Sequence, residues 1–164
     1  MTSTITGTRR MSVGARVQSV RWGLAALVLA CALTVLGAYG DSHPQASQEQ
    51  AVPFICGVLV VLAAGIFGLL VPAGLRRASA NPGAWSGGAL ALGIAAILAI
   101  PVAFWSGLPL LLGTAGILVG GAGRQAATAA GRGRGLPSWA VGLSVFAIVA
   151  GVAMAIIGTF VVPD

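Results

Sequence analysis

Residues 85–123 read WSGGALALGIAAILAIPVAFWSGLPLLLGTAGILVGGAG, 39 consecutive positions without an Asp, Glu, Lys, Arg or His. At 1.5 Å per residue a single helix of that length would extend about 58 Å, roughly twice the 30 Å hydrocarbon core of a bilayer. The stretch is therefore read as two crossings joined by a turn near Trp105-Ser106-Gly107. Pro101 is placed to kink the arriving helix, Pro109 falls in the first turn of the departing one, and Ser106 is the expected N-cap. A re-entrant hairpin over the same residues would leave both ends on the same side and is the alternative reading.

The charged residues on either side of this stretch give it an orientation. Arg9, Arg10, Arg16 and Arg21 precede an apolar run at 22–39, and Asp41, His43 and Glu49 follow it. A second run, 53–75, ends at Arg76 and Arg77, while Arg124, Arg132 and Arg134 follow residue 123. Basic residues mark cytoplasmic loops, so each arginine group lies inside and the acidic loop outside. Spans are thus expected at about 22–39, 53–75, 85–105, 108–123 and 139–162, behind a basic tail at 1–21 and ahead of an outer C-terminus at 163–164. The predicted fold is all-α: an integral membrane bundle of five transmembrane helices, N-terminus inside and C-terminus outside. Trp22, Trp85 and Trp139 fall on the predicted inner boundary, and Tyr39 and Trp105 on the outer one. A signal peptide ending at Gly40 would need an apolar region longer than the usual length of about seven to fifteen residues. The fourth span is short unless its helix continues through Arg124.

Composition agrees. Hydrophobic residues make up 57% of 164 positions and charged residues 7%, against roughly a quarter charged in soluble domains. The net charge of +6 comes entirely from arginines in tails and loops, so anionic headgroups at the inner face, rather than a specific nucleic acid, are the expected electrostatic partner. The sequence Gly131-Arg-Gly-Arg-Gly135 fits a flexible inner loop, and no P-loop lysine exists.

Little chemistry is available inside the bilayer. None of the predicted spans carries an Asp, Glu, Lys, Arg or His, which argues against proton relays and ion coupling. Thr34, Thr114, Ser144 and Thr159 are each expected to bond back to their own helix. Cys31 and Cys56 are expected at different depths, as two separate thiols. Asp41, His43 and Glu49 offer three ligands within nine residues, the only and weak candidates for a metal site, since structural zinc takes four ligands. No cofactor and no enzymatic activity are expected.

The pattern that stands out within the membrane is small residues at every fourth position. Gly87, Ala91, Ala95, Ala99 and Ala103 form such a ridge in the third span, Ala147, Gly151, Ala155 and Thr159 in the fifth, and Gly116 and Gly120 a shorter one in the fourth. Small residues let membrane helices approach closely, where dispersion and interhelical hydrogen bonds act. Ala95 is expected to meet either Gly151 in a parallel contact or a helix of another subunit.

The glycine-punctuated run from Gly88 through Ser106-Gly107-Leu108-Pro109 to Gly120-Gly121 resembles the double-span hairpin of small actinobacterial multi-span membrane proteins. The resemblance implies a helical membrane fold and transfers no activity and no site residue. Expected, then, is a multi-pass protein of a bacterial cell membrane. It would act as an accessory, regulatory or assembly component through helix packing, with a membrane protein partner or a second copy. A solute or lipid transporter competent only as an oligomer, and a sensor using the outer loop 41–52, are the two other classes.

Overall fold

The computed structural model describes residues 4–39, 46–80, 82–103, 106–131, 133 and 135–160. The chain order is α1 (Thr4–Tyr39), α2 (Ala46–Gly65), a π-helical turn (Ile66–Leu70), α3 (Val71–Ala80), α4 (Pro82–Ala103), α5 (Leu108–Ala129) and α6 (Gly135–Phe160). Among the described residues there is no strand.

Several boundaries differ from the expected ones. The basic tail is not separate from the first span but continues it, since helix elongation adds one hydrogen bond per residue and no proline intervenes before Tyr39. α2 begins ahead of Pro53, which lies inside the helix. The π turn directly precedes Val71 and Pro72. A proline ring clashes with the carbonyl four residues back, here that of Gly68, and a widened turn relieves that clash. α5 continues through Arg124 to Ala129, giving 22 residues and about 33 Å.

Among the described residues, three helices are long and apolar enough to cross a membrane: Val17–Tyr39, Ala51–Arg77 and Gly135–Ile157. Only 22%, 22% and 28% of their most apolar windows is buried, so most of each faces outwards. The apolar part of α4, Gly87–Pro101, is shorter.

α5 lies at the centre. It packs against α1, α3, α4, α6 and the π turn, and Leu110, Leu111, Ala115, Val119 and Ala127 are buried along it. Large exposed apolar side chains, such as Val28, Phe54, Val61, Leu69, Leu98, Trp139 and Phe146, fall on α1, α2, α4, α6 and the π turn, with none on α5. Water does not tolerate so continuous an apolar exterior, whereas lipid does. The least apolar of the expected spans is thus the one enclosed by the others, so protein rather than lipid surrounds it.

The turn between α4 and α5 sits deep. Gly107 has φ 66°, and a Cβ added there would lie 2.6 Å from the Cα of Ala30. Both demands, left-handed backbone and contact with another helix's main chain, select glycine. Gly107 rather than Ser106 is the N-cap, because the Ser106 hydroxyl is donated backwards to the Ala103 carbonyl at 2.8 Å. The Gly107 carbonyl accepts from the amides of Leu110 and Leu111, and Ser106 is buried. On α6 the same level is marked by Gly151, which faces Pro109. Ala30 lies nine residues before Tyr39, and Gly151 nine before Phe160. Gly107 and Pro109 therefore meet α1 and α6 about 13 Å before the ends of those two helices.

Candidate helix-packing site

The antiparallel contact between α5 and α6 is built on glycines. Added Cβ atoms would lie 2.6 Å from Ile148 Cγ1 at Gly113, 3.0 Å from Val141 Cγ2 at Gly120, and 3.9 Å from Pro137 Cβ at Gly123. At Gly116 the added atom would overlap the Ser144 hydroxyl. With Gly151 facing Pro109 at 3.2 Å, the seam pairs 109 with 151, 113 with 148, 116 with 144, 120 with 141 and 123 with 137. Each step up α5 is matched by an equal step down α6, to within one residue. The spacing along α5 alternates three and four residues, which keeps the glycines on one face.

Ser144 occupies the point where three helices meet. A Cβ at Gly93 of α4 would lie 3.2 Å from the Ser144 Oγ and 3.3 Å from Leu143 Cβ. Ser144 is fully buried, and its Oγ has no hydrogen-bond partner among the described residues. The expected bond back to its own helix is therefore absent: the hydroxyl points between the glycines of α4 and α5. Thr34 and Thr114 do bond back, to the carbonyls of Ala30 at 2.9 Å and Leu110 at 2.7 Å.

On α4 the inward positions are Ala89, Gly93 and Ala96. Gly87 and Ala91 are exposed, and Ala95, Ala99 and Ala103 half-buried. A strict four-residue spacing advances about 40° per step around a helix of 3.6 residues per turn, so five such positions cannot share one contact face. Ala147, Gly151 and Ala155 of α6 are buried, and Gly116 and Gly120 lie in the seam. No atom of Ala95 is within 4 Å of the Cβ position at Gly151, which meets Pro109 instead. The Thr159 side chain lies outside the described residues.

Cys31 and Cys56 do not lie at different depths. Their thiols are within hydrogen-bonding reach of each other, and both are free and half-buried. Because α2 starts at Ala46, Cys56 is ten residues in from its N-terminal end while Cys31 is eight residues in from Tyr39. Asp41, His43 and the Glu49 side chain lie outside the described residues. Among the described residues no three potential metal ligands come together.

No protein-family model, characterised protein or solved structure matches the chain. What the fold defines is a class: an all-helical protein with helices suited to crossing a membrane more than once.

Proposed function

We propose that this chain is a multi-pass protein of a bacterial plasma membrane that acts through helix packing, as an accessory, regulatory or assembly component of a larger membrane complex. The observation that carries the reading is the division of small residues on α4. Ala89, Gly93 and Ala96 are consumed by packing within the chain, whereas Gly87 and Ala91 face outwards, with nothing within 4 Å of the Cβ position of Gly87. In lipid, an outward patch of small residues is where a further helix approaches closely. Transport by a single chain is less well supported, because Leu111, Ala115 and Val119 of α5 fill the bundle axis.

In this reading the arginines hold the N-terminus, residues 76–77 and residues 124–134 inside, and the C-terminus is outside. α1, α2 with α3, and α6 cross fully. α4 and α5 enter from the inner side and turn back at Ser106-Gly107, a reading supported by the 13 Å offset of Gly107 and Pro109 and by the burial of Ser106 and Gly107 in protein, a setting in which irregular backbone is tolerated at membrane depth.

Extraction from native membranes in mild detergent, with mass-spectrometric identification of whatever comigrates, tests the role. The wild-type chain is expected to migrate with a second copy or another membrane protein, and Ala91→Leu to abolish that association without altering the chain's own thermal unfolding. A wild-type chain migrating alone would contradict the proposal.

A further inference from the structure

Between the inner ends of α1, α3 and α5 lies a cavity of about 290 Å³, lined among others by Gln18, Ser19, Leu75, Leu118, Gly121 and Gln125. Its size is near the lower end of ligand-binding clefts, roughly 300 Å³. The lining combines the amide and hydroxyl groups of Gln18, Ser19 and Gln125 with the aliphatic side chains of Leu75 and Leu118. Arginines flank every wall. Arg21 is three residues from Gln18 and Arg124 three residues from Gly121, spacings that put each on the same helix face as its lining neighbour. Both are exposed. Arg76 and Arg77 follow Leu75 directly, and Arg76 donates its Nε to the Pro72 carbonyl at 3.2 Å. None of the chain's three acids, Asp41, Glu49 and Asp164, lies on α1, α3 or α5. Trp22, half exposed at 53%, adjoins Arg21 at the level where indoles meet headgroups.

From this arrangement we infer that the cavity holds the headgroup of an anionic phospholipid of the inner leaflet. Arg21 and Arg124 meet the phosphate, Gln18 and Gln125 the polar substituent, and the acyl chains leave along Leu75 and Leu118. Guanidinium groups suit phosphate because they present several donors in one plane, and basic pockets between membrane helices are a recurrent means of holding acidic lipids. Gly121 belongs to the same site: nothing lies within 4 Å of its Cβ position, so that wall opens onto the cavity. The inference rests on the chain's residing in a membrane, but not on the packing role proposed above.

The test is lipid-dependent thermal unfolding of the full chain in detergent. Short-chain phosphatidylglycerol is expected to raise the unfolding midpoint saturably, and short-chain phosphatidylcholine to leave it unchanged. Neutralising an arginine, as Arg21→Gln or Arg124→Gln, is expected to weaken the response about fivefold each, from roughly 1 kcal/mol per basic residue near an acidic surface. Gly121→Leu alters no charge and fills the cavity, and should abolish the response while retaining the helical circular-dichroism spectrum. Acidic phospholipid copurifying with the wild type but depleted from Gly121→Leu would support the same site without relying on unfolding. Equal responses to the two lipids, or an undiminished phosphatidylglycerol response in Gly121→Leu, would overturn the inference. A shift reproduced by glycerol phosphate alone would also overturn it, in favour of a soluble phosphate compound. Comigration with a partner in native membranes would be untouched by any of these failures.

Discussion

The hydroxyl of Ser144 on α6 occupies the space in which a side chain at Gly116 on α5 would have to begin. One heavy atom thus sets the distance between the two helices, and Gly93 closes the third side. Gly116→Ala is expected to destabilise the chain by about 1 to 3 kcal/mol, the usual range for forcing atoms into a packed interior. Gly116→Ala combined with Ser144→Gly should recover most of the loss, and thermal unfolding of the single and double variants in detergent measures the coupling.

Ser144→Ala tests the other half of that relationship. Since the Oγ is buried without a hydrogen-bond partner among the described residues, removing it deletes an unsatisfied group and should leave stability unchanged or raise it. A fall of more than about 1 kcal/mol, the worth of an ordinary hydrogen bond, would mean that the hydroxyl is bonded.

How far these contacts were legible in sequence differs from element to element. The apolar runs and their helical character can be read directly, because a bilayer or a tightly enclosed core demands them. The role of α5 cannot: Arg124, Gln125 and its glycines make it the least convincing span by hydropathy, and it proves central because its neighbours shield it. The ridge at Gly87, Ala91, Ala95, Ala99 and Ala103 winds around α4 and does not form one internal contact face, whereas the inward face of α4, Ala89, Gly93 and Ala96, follows the helical period. The seam of Gly113, Gly116, Gly120 and Gly123 has the alternating three-and-four spacing that marks a contact face, and that signal was present in the sequence. Ser144 gave no sign of its position, since a serine in an apolar helix most often bonds to its own backbone.

On α4, Ala96→Leu and Ala91→Leu should separate internal from external packing. Ala96 is fully buried, so Ala96→Leu is expected to lower stability by about 1 to 3 kcal/mol. Ala91 is exposed, and Ala91→Leu should change unfolding by less than about 0.5 kcal/mol. Equal effects of the two changes on unfolding would contradict the assignment of faces.

The proximity of Cys31 and Cys56 carries its own test. A membrane-permeant copper oxidant should join the two thiols within one chain, detected by mass spectrometry as a linked pair of proteolytic fragments that separates on reduction. Persistence of both free thiols under conditions that oxidise an exposed cysteine would show that α1 and α2 are not aligned as described.

Cysteine accessibility reads the burial of the hairpin turn independently of stability and of any partner. Single cysteines at Ser47, Ala78 and Ser106, in a chain carrying Cys31→Ala and Cys56→Ala, are treated with an impermeant thiol reagent in intact cells, in permeabilised cells and after denaturation. Ser47→Cys is expected to label in intact cells, Ala78→Cys only after permeabilisation, and Ser106→Cys only once the protein is denatured. Labelling of Ser106→Cys in intact cells to the same extent as Ser47→Cys would contradict it, because the turn would then emerge at the outer surface instead of ending against Ala30.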